Sequence, residues 1–374
     1  MLLWFREFKV SDIAIIYGTR PQIIKAVVLS SALKKSGLED HVMIDTGQHY
    51  DAALAGSHYQ TLSAPGADYQ LNIGKGTEAQ QVAQIIERSE KLLLKLKPRR
   101  VIVLGDTNST LGGALAASKL KIPLLHIEAG VRSYNRKMSE EINRIVTDHL
   151  AEQLMTTHAD PSDNLIREGI DSRRIHIVGD LLFDAALTFS KRNSLEDVFR
   201  ENSLPLKSGE YVLATLHRAE TVDSATHLSR VIAGLEELAS KICVVMPLHP
   251  RTQARLAAAG IVPRWLKLVA PVSYLNMLAL EKNAKLLITD SGGVQREGYF
   301  LGVPTIVLRR ETEWTQLVTS GHSYLVNPEE SFNLEEAMVA MVENFQNSPE
   351  TELFGAGMAA TRICEILAND LNLE

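Results

Sequence analysis

Short apolar runs, most closing on a polar residue and followed by helical spacing, recur along this chain from one end to the other. IAIIY (13–17), HVMIDT (41–46), RVIVLGD (100–106), IPLLHIE (122–128) and RIHIVGD (174–180) form one set. YVLATLH (211–217), ICVVMPLH (242–249), LKLVA (266–270), KLLITD (285–290) and PTIVL (304–308) form a second. Runs so short and so uniformly apolar suit strands buried on both faces, and their alternation with helices predicts parallel sheets with helical crossovers. The expected fold class is α/β, with two doubly wound Rossmann-like domains facing a cleft. The polar, turn-rich stretch KRNSLEDVFRENSLPLKSGE separates the two sets and is read as the junction. The organisation expected is a first domain over 1–185, a second over 186–354, and a last helix within 355–374 crossing back to brace the first.

Composition enters mainly through what it excludes. A chain of 374 residues, 45% hydrophobic, has enough apolar surface for two cores. A net charge of −6 argues against a nucleic-acid partner or an anionic membrane, so cations at any functional site must be local. Cys243 and Cys364 are too few for a disulfide framework and read as small apolar residues in a reducing cytoplasm. Arg6, Glu7 and Lys9 interrupt any signal-peptide apolar region, and no run approaches the ~20 residues of a membrane span.

Open α/β sheets bind ligands at the carboxyl ends of their strands. In the first set, YGTRPQIIKA leaves its strand through Gly18 and Thr19 into a helix with Pro21 in its first turn. Helix-start amides with Arg20 and Lys25 make an anion site, or else a capped helix with surface bases. In the second set, Ser291, Gly292 and Gly293 expose amides where a phosphate can approach the backbone, and Glu297 lies at reach for a ribose diol. Neither a G-x-G-x-x-G fingerprint nor a P-loop is present, so no NAD is expected.

Titratable groups cluster at the same ends. Asp106 and Glu128 close consecutive apolar runs, so adjacent strands would deliver two carboxylates to one place. Glu140 and Glu141 begin a helix and point about 100° apart, so only one can face inward. Glu140 is expected to be that one, held by Asn143 and Arg144 at i+3 and i+4. Ser139 is a reasonable N-cap for that helix. His217 and His249 close two strands of the second set; a lone histidine there is usually structural, whereas two facing three carboxylates favour function. Metal ligation is the rival reading, but it lacks an H-x-H or H-x-x-x-H pair, so no metal is expected.

These parts are what elimination from a nucleotide-sugar requires. The C2 proton of a hexosamine is not acidic, so its removal must be coupled to departure of a good leaving group from C1. Nucleoside diphosphate is such a group. Carboxylates supply base and acid, while cations and helix-end amides stabilise the leaving diphosphate.

The segments GTRPQIIKA, DTGQHYD, GDTNSTLGGALAA, HIEAGVRS with EEINR, GDLLFDA, LHRAE, LHPRT and TDSGGVQREGYFLGVP with RRETEW occur in that order. As a set they resemble the non-hydrolysing UDP-N-acetylglucosamine 2-epimerases over roughly residues 12–370. The resemblance implies the two-domain fold of glycogen phosphorylase and GT-B glycosyltransferases, a homodimer, no cofactor, and anti elimination of UDP to a 2-acetamidoglucal followed by re-addition. It implies catalytic roles for Asp106, Glu128, Glu140 and His217, and UDP contacts for Arg20, Lys25, His249, Ser291, Gly292, Gly293 and Glu297.

Some positions depart from that pattern. Gln22 stands where bacterial members usually have Glu, Arg296 replaces the first Glu of QEEA, and Trp314 replaces an Arg. The branch acting on UDP-2,3-diacetamido-2,3-dideoxyglucuronate looks more similar, and Arg136, Lys137, Arg296 or Arg310 would suit its C6 carboxylate; archaeal UDP-N-acetylglucosamine enzymes share the ETEW pattern. Gln48 and His49 match an allosteric UDP-sugar site of some members.

Overall fold

A computed structural model describes residues 11–48, 59–202, 207–345 and 353–372; His49 lies outside them. The chain divides into two compact units, residues 1–185 with 352–374, and residues 186–351.

The first unit is built on a parallel sheet of order β3-β2-β1-β4-β5-β6-β7. Its strands are β1 (Ile13–Tyr17), β2 (His41–Asp45), β3 (Tyr69–Gln70), β4 (Arg100–Leu104), β5 (Leu124–Ile127), β6 (Gln153–Thr156) and β7 (Ile175–Ile177). All five residues of β1 are buried, which is why that run has no polar alternation. Ile16, Val101, Val103, Ala114, Ala117 and Leu124 meet in one core. Burying each larger aliphatic contributes roughly 1.5–3 kcal/mol.

The second unit holds a parallel sheet of order β10-β9-β8-β11-β12-β13. Its strands are β8 (Tyr211–Thr215), β9 (Cys243–Pro247), β10 (Lys267–Val269), β11 (Leu286–Thr289), β12 (Thr305–Leu308) and β13 (Ser323–Val326). In both sheets the first strand of the unit lies between its successor and a later strand. Strand order therefore reverses beside β1 and β4 in one unit and beside β8 and β11 in the other. Crevices for ligands form at such points.

Three strands escape the sequence reading. β3 has only two residues, β6 (QLMT) begins and ends on polar side chains, and β13 (SYLV) leaves Tyr324 exposed. The stretch read as a junction contains the helix Leu195–Asn202, which belongs to the second unit. The helix Leu181–Phe189 spans the division itself.

The last helix, Ala359–Asn372, packs on the helix Arg20–Lys35 within the first unit. Asp184 accepts hydrogen bonds from the amides of Ala359 (3.2 Å) and Ala360 (2.9 Å) at its start, and Asp370 reaches Arg100 (3.4 Å). Gly355 has φ +78°, and a Cβ there would lie 2.8 Å from the Gly179 Cα. Only glycine permits both that conformation and that approach. Cys364 is buried and Cys243 half-buried. Among the described residues, no helix is long and apolar enough to cross a membrane.

Candidate active site

In the first unit, the turns after β1, β4 and β5 stand side by side. Gly18 leaves β1 against Thr46 and Ser109; a Cβ there would lie 1.9 Å from the Thr46 hydroxyl, so only glycine passes. Gln22 is buried one turn later. Its Oε1 accepts from the amides of Gly18 (2.9 Å) and Thr19 (3.1 Å), and its Nε2 donates to the Leu104 carbonyl (2.5 Å) and the Thr107 and Thr110 hydroxyls (2.9 Å each). One neutral amide thus ties the turn after β1 to the turn after β4. Arg20 is half-buried at the same helix start. Gln48 accepts from the Ser109 amide (3.1 Å) and hydroxyl (2.7 Å).

Lys25, expected at the diphosphate, is buried and forms an ion pair with Glu128. Glu128 follows β5 with φ +71°, a left-handed conformation that costs a non-glycine residue about 1 kcal/mol or more and clusters at functional sites. Asp106 follows β4, and Arg144 grips its Oδ2 through Nε (3.0 Å) and Nη2 (2.6 Å). Asn143 donates to the Asp106 carbonyl (2.9 Å).

The acidic pair at the start of the helix Ser139–Leu150 divides differently from the sequence expectation. Glu141 is the buried member, 1% exposed, and Glu140 is exposed. Arg144 bonds Glu141 Oε2 (2.8 Å), and the amides of Ser133 (2.9 Å) and Tyr134 (2.8 Å) donate to the same carboxylate. The expected support of Glu140 by Asn143 and Arg144 is therefore corrected: both serve Asp106, and Arg144 also serves Glu141. The loop 133–134 offers donors only on the Glu141 side, which decides the helix phase. Burial alone would push Glu141 up, but the hydrogen bonds from Ser133, Arg144 and Tyr134 hold it below the usual carboxylate range. Ser139 is also displaced from its expected role. Met138 is the N-cap, and the Ser139 hydroxyl donates to Glu78 (3.0 Å). A basic residue three positions after Glu141 was the available signal for this pair.

In the second unit, β8 and β11 end beside one another. Asp290 is fully buried and accepts from the amides of His217 (3.1 and 3.0 Å) and Arg218 (2.9 Å), while the His217 Nδ1 lies 3.5 Å from its Oδ1. Burial pushes the His217 imidazole below its ordinary value; Asp290 opposes this, and the Arg218 and Arg251 charges add to it. His217 is thereby a neutral donor or acceptor at neutral pH. The His249 ring lies 5.5 Å from that of His217, and its Nδ1 caps the helix Pro250–Ala258 by accepting from the Arg251 amide (3.2 Å).

Ser291 is the N-cap of the helix Gly292–Leu301, accepting from the Val294 amide (3.4 Å). A side chain on Gly292 would meet Trp314, whereas Gly293 faces only the Ser291 hydroxyl. Glu297 is buried one turn into the helix. Arg296, expected beside a sugar carboxylate, is buried, with its guanidinium stacked 4.1 Å above the Trp314 ring. Arg136, Lys137 and Arg310 are exposed. Among the described residues, no group of three or more His, Cys, Asp or Glu side chains could hold a metal ion.

Two doubly wound parallel sheets with charged side chains at the strand ends of both, and two imidazoles at those of the second, are the architecture of two-domain nucleotide-sugar enzymes. Residues 31–368 match the protein family described as UDP-N-acetylglucosamine 2-epimerase. The UDP-2,3-diacetamido-2,3-dideoxy-D-glucuronate 2-epimerase of Pseudomonas aeruginosa is 41% identical, over 94% of this chain and 98% of that one. The UDP-N-acetylglucosamine 2-epimerase of Methanocaldococcus jannaschii is 40% identical over 95% and 98%. A crystal structure of the Methanocaldococcus jannaschii UDP-GlcNAc 2-epimerase in complex with UDP-GlcNAc and UDP superposes with a TM-score of 0.85 at 39% identity, covering 96% of this chain and 99% of that one. The chain belongs to the UDP-N-acetylglucosamine 2-epimerase family and is an isomerase of that family.

Proposed function

We propose that this chain interconverts the C2 epimers of a UDP-2-acetamido sugar without hydrolysis, by anti elimination of UDP and re-addition to the 2-acetamidoglucal. The observation that supports this most directly is the pair Asp106 and Glu128, on turns that follow hydrogen-bonded neighbours β4 and β5, each directed by its own cation, Arg144 or Lys25. Two oriented carboxylates are what is needed to take the C2 proton on one face and return one on the other; such general bases and acids contribute about 10²–10⁴-fold each. Exposed Glu140 is the third carboxylate of the set.

UDP is held by the amides of Gly292 and Gly293 at the helix start capped by Ser291, with Glu297 on the ribose and His249 toward the phosphates. His217, held neutral and braced by Asp290, stabilises the departing UDP and assists its return. Lys25 both orients Glu128 and adds positive charge.

The sugar is UDP-N-acetylglucosamine or UDP-2,3-diacetamido-2,3-dideoxyglucuronate, the substrates named for relatives of nearly equal identity. With Arg296 committed to Trp314, a C6 carboxylate would be met by Arg136, Lys137 or Arg310. Incubation of the pure protein with each UDP-sugar in D₂O, followed by NMR, tests both points. Epimer carrying deuterium at C2 and still joined to UDP is the expected product, with glycal and UDP leaking in slowed variants. Product with full protium at C2 and no glycal in any variant, or free sugar as the first product, defeats the proposal.

A further inference from the structure

Beside the two carboxylates lies a buried charged chain. His126 and Asp148 are both fully buried. The His126 Nδ1 bonds Asp148 Oδ1 (2.6 Å), and its Nε2 donates to the Gly105 carbonyl (2.7 Å). Gly105 immediately precedes Asp106. The other oxygen of Asp148 accepts from the Gly130 amide (3.1 Å) and from Arg132 Nη1 (2.7 Å). Gly130 lies two residues after Glu128. Arg132 is anchored in turn by Glu168 through Nε (2.8 Å) and Nη2 (2.7 Å).

We infer that His126 and Asp148 are positioning residues for the reaction: the pair ties the turn bearing Asp106 to the turn bearing Glu128 and so sets where the two carboxylates stand. This rests on the catalytic reading of those two carboxylates. Two further observations support it. The Glu128 backbone sits in the left-handed region and persists only if its surroundings over-determine it, and the Asp148 contact to Gly130 is one of the constraints that does so. Gly130 itself has φ +77° and packs so closely on Pro161 that a Cβ would lie 2.2 Å from the Pro161 carbonyl oxygen, so the turn has one seat. Stability alone is a poor reason for this arrangement. Well-packed apolar side chains usually serve a core as well as buried ion pairs do. What the charged chain supplies, and apolar packing does not, is direction at both ends of one imidazole. Burial alone would push Asp148 up; His126, and then Arg132, hold it below the usual carboxylate range, so it keeps acceptors for all its donors.

The test is the substitution Asp148→Asn, assayed for turnover, KM, UDP affinity and melting temperature. Asn carries no charge and has one acceptor oxygen in place of two, so the ion pair to Arg132 is lost and an NH2 group replaces one of the two oxygens that join His126 to Gly130. A shift of the carboxylates by a fraction of an ångström should lower kcat about 10–100-fold, while KM and UDP Kd stay within about twofold. Leu93→Ala, a cavity in the core of the same unit, is the stability control and should lower Tm with kcat within about twofold. If Asp148→Asn does not fold, Arg132→Lys takes its place; it keeps one ion pair with Asp148, loses the fork to Glu168, and should lower kcat about 3–10-fold. Unchanged kcat in a folded variant overturns the inference, as does a fall in kcat and UDP affinity together that tracks the folded fraction. Asp106→Asn and Glu128→Gln belong in the same assay. If both retain turnover, the catalytic reading fails; if both are inactive and Asp148→Asn is fully active, only the positioning role fails.

Discussion

Glu141 and Arg144 sit one helical turn apart in the helix Ser139–Leu150 and are joined at 2.8 Å, while the remaining guanidinium nitrogens of Arg144 reach Asp106. The fork of Arg144 is thus shared between a buried carboxylate and a half-exposed one in the turn after β4. Glu140, next to Glu141 in sequence, takes no part in this arrangement.

That division separates stability from turnover. Glu141→Gln removes one of the two charge partners of Arg144 and an acceptor for the loop 133–134, and should cost roughly 1–3 kcal/mol of stability. Glu140→Gln should leave the melting temperature unchanged and cut kcat about 100-fold or more. Thermal melts and steady-state assays on the two variants check this. A stable Glu141→Gln, or an active Glu140→Gln, shows that the roles are assigned wrongly.

Asp184 makes folding pH-dependent. Burial pushes its carboxyl up to about 6, against the amides of Ala360 and Ala359 and with help from Asp180. The folded value lies above the ordinary 3.8, so the folded chain holds this proton more tightly than the unfolded one. The stability it contributes is present at the acid end and is lost as pH rises through about 6. The parent should therefore gain roughly 1–3 kcal/mol of stability relative to Asp184→Asn as the pH falls from 7.5 to below 5. Melting curves across that range decide it; a gap that does not vary with pH counts against the assignment.

Gln22→Glu should destabilise the first unit. The Nε2 of Gln22 donates to the Leu104 carbonyl, and a carboxylate oxygen there would face another acceptor. The cost should be about 1–3 kcal/mol at neutral pH and should diminish as the pH is lowered. Urea titrations at two pH values measure it, and a variant as stable as the parent at pH 7.5 would be the contrary result.

Turnover should survive exhaustive dialysis against a chelator, with no NAD supplied. The described residues hold no cluster of metal-ligand type, and the turn after β1 has no dinucleotide fingerprint. Activity lost on dialysis and restored by a divalent cation or by NAD would reverse this expectation.

The fold class was legible because strands buried on both faces must be continuously apolar, and IAIIY, VIVL, YVLA and LLI are. The strands that went unread, Tyr69–Gln70, Gln153–Thr156 and Ser323–Val326, are short and partly polar; pairing with a neighbour, rather than local pattern, makes them strands. Asp106, Glu128, His217 and Ser291 were found as candidates because each lies within a few residues of the end of an apolar run, and strand ends are where a parallel sheet offers side chains to a ligand.

By itself the sequence determined which residues stand at those ends, since period and strand termination are local properties of the chain. It could not determine which of two adjacent acids turns inward. Helix geometry allows Glu140 or Glu141 equally, and the choice fell to the Ser133 and Tyr134 amides, which reach only the second. The partners of Lys25, Arg144 and Arg296 were likewise decided in three dimensions, because a long cationic side chain goes to whichever acceptor or aromatic face the packed elements leave within its reach. Glu128 lies 103 residues from Lys25 and Asp148 lies 22 from His126, and only the closing of the parallel sheet around them brings such charges into contact.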